Sequence, residues 1–349
     1  MHFRNSLNGG LVMRNRAIAL ATLFFASLMA IAQSIPAGAA QRLTWVIKQA
    51  PPYSGPMVGD GHGNLYAFAF GNGSALMAFK YSASTNKWSR RASDPEYGSG
   101  YLPNISGESA TLTTDGRIIV FGGDDANNTD LSSVAAYNPT TNTWQNLAPL
   151  PIARYDAAAV TGPAGKIYAI GGDYGGSSGG EGEVTLTSVE AYSPTKNSWQ
   201  ELAPLNVERE FAAGAAGSNG LIYVFGGCNQ GYENEGGCSQ SDTAEVLNPS
   251  STANTWSLLP LMPADYPSCA FGCGTNGGAG VTSGLIYLNG VGAYNPITGK
   301  WTPFSTSPAS PLLVAPGGSK CGYLYGLGFY TYSSSLEMDR AATRPGKGC

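Results

Sequence analysis

Short runs of apolar and aromatic residues recur along the chain, and each run is closed by glycines or by a polar turn. The stretch Gly165–Pro204 shows the pattern in full, with one run ending at Gly171-Gly172, a second at Val189–Tyr192 and a third led by Trp199. Short runs bounded by glycine and proline are typical of β-strands, because an amphipathic helix needs a longer periodic segment. This stretch therefore predicts a small antiparallel sheet.

The same order of landmarks recurs across the chain. An apolar run followed by glycine occurs at Arg117–Gly123, Lys166–Gly172, Leu221–Gly227 and, in reduced form, Leu285–Gly290. A tyrosine precedes a tryptophan by seven positions in Tyr81/Trp88, Tyr137/Trp144, Tyr192/Trp199 and Tyr294/Trp301, and Leu247 precedes Trp256 by nine. With Trp45, the six tryptophans are 43 to 57 residues apart. A period near 50 with four strands per period predicts radial repetition, in which small sheets pack against their neighbours.

The two ends of the repeat array have complementary deficits. Leu43–Lys48, with Trp45, is a candidate outer strand with no sheet before it. The C-terminal end supplies candidate strands at Leu312–Ala315, Tyr323–Leu327 and Phe329–Tyr332 but no tryptophan strand. We therefore predict a six-bladed β-propeller whose ring is closed by the N-terminal strand in the last blade, which leaves only short sheet edges exposed. Five complete blades with loose ends is the alternative.

Residues 1–39 differ in composition from the rest of the chain. Arg14 and Arg16 precede the apolar stretch Ala17–Ala32, and Ala37-Gly38-Ala39 provides a small-residue cleavage site, as in a secretory signal peptide. The apolar stretch is shorter than the roughly 20 residues that span a bilayer, although a membrane anchor is the alternative. We predict a cleaved leader at 1–39, a single propeller at 40–349, no membrane span, and a secreted or periplasmic location.

Charge and histidine content limit the chemistry. The formal net charge is −4, and the residues after the leader carry −7, because the leader holds three arginines and no acidic residue. Such a chain lacks the basic field that nucleic acid requires. Only His62 follows the leader, which is too few imidazoles for a copper site, so we predict no cofactor and no metal. The acidic turn Asp124–Asp130 is a weaker calcium candidate, with a solvated turn as the favoured interpretation.

Six cysteines follow the leader, an even number that favours disulfides in an oxidising compartment. Sequence neighbours suggest the pairs Cys228–Cys238, Cys269–Cys273 and Cys321–Cys349, which is one of 15 pairings. Cys269 and Cys273 need a turn at Gly272, because extended residues at this spacing lie too far apart. Without that turn Cys269 pairs elsewhere, with Cys228 as one option.

At these residues the chain resembles the Kelch repeat family. The matching motifs are the Gly-Gly pair after an apolar strand, the Tyr-Asn-Pro or Tyr-Ser-Pro turn before tryptophan, and the tail at Leu147–Pro151, with similar tails at Leu202–Leu205 and Leu259–Pro263. Three repeats match well, and the resemblance covers nearly everything after residue 41. It implies an all-β propeller with four antiparallel strands per blade. It assigns no activity, because the family contains scaffolds, sugar-binding proteins and a few enzymes.

The candidate site lies where the loops of successive blades open on one face. Aligning the tails 149–156 and 204–211 places Arg154 and Arg209 in register, and the resemblance implies that this arginine faces the ligand mouth, as in several family members. The candidate ligand-binding residues are Arg154, Tyr155, Asp156, Arg209, Glu210 and Tyr266. Guanidinium groups recognise carboxylates, and aromatic rings offer sugars a flat face. The alternative is that each arginine only pairs with a neighbouring acid such as Glu208 or Glu210.

Two functions are compatible with this sequence. The first is an exported binding module, expected to be a monomer, whose loop face captures a glycan, an acidic peptide or a protein partner at a surface. The second is a carbohydrate-active enzyme resembling the exported Kelch mutarotase that interconverts sialic acid anomers. If this chain had such an activity, Arg209 would hold the carboxylate of the sugar, and Glu208 or Glu210 would transfer the proton. Binding is favoured, because spacing alone defines no acid–base set.

Overall fold

The protein is described here by a computed structural model. The described residues are 45–53, 55–60, 62, 64–70, 75–94, 96–97, 106–125, 129–175, 184–229, 239–263, 279–288, 291–302, 312–314, 323–329 and 336–342. The chain divides into two units, Met1–Ala39 and Ala40–Cys349, and every described residue belongs to the second. The predicted leader therefore lies outside the described residues. Within the described part of the chain, no helix is both long and apolar enough to cross a membrane.

The described elements are strands, apart from one 3-10 turn at Pro163–Gly165, and they form six four-stranded antiparallel sheets and two two-stranded hairpins, Asp173–Tyr174 with Val184–Thr185 and Cys228–Asn229 with Ser239–Gln240. The first sheet contains Met57–Gly59, Leu65–Phe70, Leu76–Ser82 and Lys87–Asp94. The second contains Ser106–Leu112, Ile118–Asp124, Val134–Asn138 and Thr143–Asn146. The third contains Ala158–Thr161, Ile167–Ile170, Val189–Ser193 and Ser198–Glu201. The fourth contains Ala213–Ala216, Ile222–Phe225, Ala244–Leu247 and Trp256–Leu258. The fifth contains Gly280–Thr282, Leu285–Leu288, Gly292–Asn295 and Lys300–Thr302.

The sixth sheet combines strands from both ends of the described chain. Leu312–Val314, Tyr323–Phe329 and Leu336–Ala342 follow one another, and Trp45–Lys48 pairs antiparallel with the last of them. Of the predicted strand Phe329–Tyr332, only Phe329 is described, and it is the last residue of the strand Tyr323–Phe329, which continues through Gly328; the other three residues lie outside the described part of the chain. Glycine ends many strands, but it is tolerated inside a sheet where main-chain pairing continues. The blade count and the closed ring stay predictions.

Strand burial explains the sequence pattern. The second strands Ile118–Asp124, Ile167–Ile170 and Ile222–Phe225 are buried along their whole length, which requires continuous apolar runs. The fourth strands, such as Ser198–Glu201, are mostly exposed. The first strands of the first five sheets contact one another in chain order, and we therefore call them the inner strands.

A tyrosine, an asparagine and a tryptophan lock neighbouring sheets together. Oδ1 of Asn142 accepts hydrogen bonds from Tyr137 Oη at 2.8 Å and from the Ala92 amide at 2.9 Å. Trp144 Nε1 donates to the Ala92 carbonyl at 3.0 Å. The second sheet is therefore hydrogen-bonded to the fourth strand of the first sheet, Lys87–Asp94. The same three bonds recur at Tyr81/Asn86/Trp88 with Gln49, and at Tyr192/Asn197/Trp199 with Ala148. The seven-residue spacing therefore marks a clamp between sheets, and the sequence analysis missed its asparagine.

Candidate binding site on the loop face

The Gly-Gly pairs lie at one end of the sheets, which we call the loop face. The second strands end here, and the inner strands begin here. Gly171 has a φ of +62°, and a Cβ atom on it would lie 2.3 Å from the carbonyl oxygen of Arg209. The next amide, that of Gly172, donates to the same carbonyl at 2.9 Å. The glycines therefore let the tail that enters the next sheet approach the main chain closely, which is a structural role.

Arg154 is enclosed by the protein and is not exposed at the loop face. Its side chain is fully buried. Nη1 donates to the carbonyl oxygens of Gly171 at 2.8 Å and Ser188 at 3.2 Å, and Nη2 lies 2.8 Å from Oε1 of Glu190. Burial lowers the pKa of Arg154, and the charge of Glu190 opposes that shift.

Arg209 repeats this arrangement in the fourth sheet. Nη1 donates to Gly226 O at 2.6 Å, and Nη2 donates to Thr243 Oγ1 at 3.1 Å and to Glu245 Oε1 at 2.8 Å. The arginines therefore pair with acids, as the alternative interpretation held, but the acids are Glu190 and Glu245 rather than Glu208 or Glu210. A ligand-binding role for the two arginines stays a prediction.

Carboxyl groups gather at the loop face instead, in a group that we call the acidic cluster. Asp124 and Asp173 each follow a Gly-Gly pair, while Asp156 and Glu108 lie at the beginning of inner strands. Their exposed fractions are 5%, 0%, 7% and 2% respectively. The Asp156 amide donates to the Gly107 carbonyl at 2.8 Å, and Tyr155 pairs with Asp173 in an antiparallel bridge. These main-chain bonds bring carboxyl groups from two sheets together.

Burial favours the protonated forms of Glu108, Asp156 and Asp173 in the acidic cluster, and neighbouring carboxylates strengthen this effect for Glu108 and Asp156. Burial raises the pKa of Glu108 to about 8, and Asp124 adds to the rise. Burial raises the pKa of Asp156 well above its usual value, with further contributions from Asp124, Asp173 and Glu108. The pKa of nearby Asp130 is also raised, mainly by burial. A positive charge placed among these groups would restore their ionised forms.

Asp173 is the least satisfied member of the acidic cluster. Neither of its carboxylate oxygens has a hydrogen-bond partner of acceptable geometry in the described part of the chain. Glu210 and Thr185 lie close enough to oppose, in part, the rise that burial produces in its pKa. The hydroxyl of Tyr155, which is also buried, has no partner among the described residues. Buried polar groups are nearly always hydrogen-bonded, so the loop face carries unused bonding capacity.

A short hairpin projects from the third sheet beside the acidic cluster. Asp173–Tyr174 pairs with Val184–Thr185, and Tyr174 lies directly opposite Val184. Side chains alternate along the hairpin, so Asp173 and Thr185 are buried while Tyr174 and Val184 are 47% and 53% exposed. The amide of Gly175 donates to Oδ2 of Asp130 at 2.7 Å. The sequence analysis did not identify this exposed apolar pair.

The other predicted site residues are distributed between the interior, the surface and the undescribed part of the chain. Tyr155, Asp156 and Glu210 are buried at the loop face, Glu208 is exposed, and Tyr266 lies outside the described residues. The main chain of Phe211 donates to the Asp156 carbonyl at 3.0 Å, which extends the row of bonds between inner strands.

The predicted disulfide and metal residues are less fully described. The sulfur of Cys228 belongs to a disulfide and lies 3.4 Å from Oε1 of Glu210. The pairing stays a prediction, because the remaining members lie outside the described residues: Cys238, Cys269, Cys273, Cys321 and Cys349. His62 is exposed in a turn formed with Asp60. No group of three or more histidine, cysteine or acidic side chains is arranged to hold a metal in the portion that the structure describes.

The sequence analysis missed Glu108, Asp173, Glu190 and Glu245. Glu190 and Glu245 had a usable signal, because each follows its arginine by 36 residues. Glu108 and Asp173 had none, because their convergence depends on contacts between sheets.

Comparison with known proteins gives a family match over most of the chain. The model of the KLHDC2/KLHL20/DRC7 Kelch-repeats domain matches residues 62–275. Beta-scruin of Limulus polyphemus is 29% identical over 192 residues, which cover 52% of this chain and 20% of that protein. Human Kelch-like protein 33 is 35% identical over 114 residues, covering 32% and 20%. The Kelch repeat and BTB domain-containing protein 1 of camelpox virus is 29% identical over 213 residues, covering 56% and 33%. The chain thus spans a fifth to a third of the length of these relatives.

A solved structure shares the architecture. The structure of YjhT matches with a TM-score of 0.59 and 15% identity, covering 84% of this chain and 96% of that chain. At this identity the similarity shows the fold alone.

Proposed function

Because this chain belongs to the Kelch-repeat family, we propose that it is a binding module whose loop face captures another protein. Kelch-repeat propellers typically serve as protein-interaction modules. The observation that carries the proposal is the projecting hairpin, where Tyr174 and Val184 are exposed beside buried carboxyl groups with unused hydrogen-bonding capacity. Exposed aromatic side chains next to polar groups are common features of protein interfaces.

The scaffold supports a preorganised site. The Tyr–Asn–Trp clamps fix adjacent sheets against each other, and the two buried ion pairs hold the tails that enter the third and fourth sheets, so the loops project from a rigid base. Binding residues are often carried by loops on such a base. The leader predicted at 1–39 and the disulfide at Cys228 support export of the module, which we include in the proposal together with a monomeric state.

The proposal does not extend to an enzyme that acts on acidic sugars. That function needs Arg209 to hold a substrate carboxylate, and its guanidinium is instead enclosed and bonded to Gly226, Thr243 and Glu245. The acidic cluster offers no positive charge to the carboxylate of an anionic sugar. The described residues therefore favour a protein partner over an acidic glycan.

Photo-crosslinking tests the proposal. Benzoylphenylalanine replaces either Tyr174 on the loop face or Ile297, which is 68% exposed in a turn at the opposite end of the fifth sheet. Each full-length variant is incubated with an extract of the organism that encodes the chain, and the products are identified by mass spectrometry. We expect one or a few proteins to crosslink from position 174 and not from 297. The same products from both positions, or none from position 174, would contradict a loop-face binding module.

A further inference from the structure

We propose that the partner presents an extended segment in which a lysine or arginine, directed to Asp173 and Asp156, lies next to an apolar residue that packs on Tyr174 and Val184. This inference rests on the proposed function and deepens it by naming the chemistry of the partner.

The first observation is the uneven distribution of charge between the two ends of the sheets. Acidic residues at the loop face include Glu108, Asp124, Asp125, Asp130, Asp156, Asp173, Glu208, Glu210 and Asp242. Arg154 and Arg209, the described cations on the tails that lead into the inner strands, are already paired inside the protein. Lysines and arginines collect around the turns of the opposite end, at Lys87, Arg117, Lys166, Lys196 and Lys300. Charge complementarity therefore favours a basic partner at the loop face.

The second observation is the unmet bonding capacity of Asp173. This carboxyl group is completely buried, and neither oxygen has a satisfactory hydrogen-bond partner in the described part of the chain. The charge of Asp173 raises the pKa of both Asp130 and Asp156, so it faces other carboxyl groups. An ammonium or guanidinium group would supply charge-assisted hydrogen bonds and relieve this repulsion. A guanidinium fork can bond two carboxylates at once.

The geometry of the hairpin explains why an apolar residue belongs next to the basic one. Asp173 and Tyr174 are neighbours, and their side chains point to opposite faces of the hairpin. Successive side chains of an extended partner segment alternate in the same way. A basic residue followed by an apolar residue therefore satisfies both faces of the hairpin.

A selection from displayed peptides tests the inference and does not require the natural partner to be identified. A library of short random peptides is selected on the immobilised full-length protein and, in parallel, on the variants Asp173→Asn and Tyr174→Ser. The matched controls are Asp115→Asn and Ile297→Ser, which change an exposed acid and an exposed apolar residue at the opposite end. We expect a lysine or arginine beside an apolar residue to be enriched on the wild type and on both controls.

One enriched peptide is then synthesised with a fluorescent label, and its affinity is measured for each variant. We expect Asp173→Asn to weaken binding at least about tenfold, and added salt to weaken binding to the wild type. Val184→Lys changes a side chain that is 53% exposed, and it should also weaken binding, because it places a positive charge beside the position of the peptide's basic residue. This variant keeps the test decisive if Asp173→Asn proves unstable on thermal denaturation.

The outcomes separate the inference from the proposed function. A neutral or acidic consensus that still depends on Tyr174 would overturn the basic segment and leave the loop-face binding module standing. Enriched basic peptides that bind the Asp173→Asn and Val184→Lys variants unchanged would also overturn the inference. No enrichment above a blank matrix would count against both.

Discussion

Arg154 and Glu190 form an ion pair inside the third sheet, with Nη2 and Oε1 2.8 Å apart and both side chains buried. Arg209 and Glu245 repeat the pair in the fourth sheet at the same distance. The two pairs differ in their remaining bonds. Glu245 also accepts from the amide and the side-chain nitrogen of Asn206 and from the amide of Val207, whereas Oε2 of Glu190 has no partner within the described residues. The fourth sheet therefore meets the hydrogen-bonding needs of its buried charge more completely.

We predict that Glu245→Ala lowers the free energy of unfolding more than Glu190→Ala. Removing one member of a buried ion pair leaves an uncompensated charge and costs about 3–5 kcal/mol. Glu245→Ala additionally frees the bonds to Asn206 and Val207. Urea denaturation of both variants measures the difference, with Glu201→Ala as an exposed control expected to stay within about 0.5 kcal/mol of the wild type. Equal losses would show that the extra bonds of Glu245 contribute no stability.

A second prediction concerns the clamp between the first two sheets. Asn142→Ala removes the bonds from Tyr137 Oη and the Ala92 amide and leaves alanine at a φ of +58°. Asn254 has a φ of +45° in the equivalent turn of the fourth sheet, where Leu247 replaces the tyrosine. We expect Asn142→Ala to cost about 2 kcal/mol more than Asn254→Ala, because only the former removes the two part-buried hydrogen bonds from Tyr137 and Ala92. Thermal unfolding of the two variants measures this gap, and equal shifts would assign the whole effect to backbone strain.

The clamp also shows which features of this fold could be predicted from the sequence and which could not. The spacing of Tyr137 and Trp144 predicted the repeat and the strands correctly, because it reflects a contact made within every unit. Asn142 was not predicted, because asparagine is common in turns for local reasons. Its presence in a turn therefore does not indicate a contact with another sheet. The burial of the Arg154 side chain was also not predicted. The alignment that placed Arg154 in register with Arg209 contains no information about the orientation of either side chain. The acidic cluster depends on contacts between sheets, so no local pattern predicted it.

A third prediction separates close approach from backbone conformation at the Gly-Gly pairs. Gly171→Ala would place a Cβ atom 2.3 Å from the Arg209 carbonyl oxygen, whereas Gly116→Ala would meet nothing within 4 Å although its φ is +84°. We expect Gly116→Ala to cost about 1 kcal/mol from its backbone conformation alone. Gly171→Ala should cost at least twice as much, because the tail carrying Arg209 must move. Comparable melting temperatures for the two variants would mean that the tail carrying Arg209 moves away from the added methyl group at no cost in stability.

The last prediction follows from the protonation of Glu108. Its pKa in the folded protein is about 8, above the ordinary value of 4.5 that applies in the unfolded chain, and burial is the main cause. The folded state therefore binds this proton more tightly, so its contribution to stability is fully present below pH 4.5 and is lost as the pH rises toward 8. Raised pKa values at Asp130, Asp156 and Asp173 act in the same direction.

We expect the free energy of unfolding to fall between pH 5 and pH 8, and to fall less in Glu108→Gln, whose side chain does not titrate. Urea denaturation across this range measures how the free energy of unfolding depends on pH in both proteins. The control is Asp115→Asn, which removes an exposed carboxyl group at the opposite end. Because the pKa of Asp115 is lowered, this variant should show the same pH dependence as the wild type. A Glu108→Gln slope equal to that of the wild type would show that Glu108 is already ionised in the folded protein at pH 7.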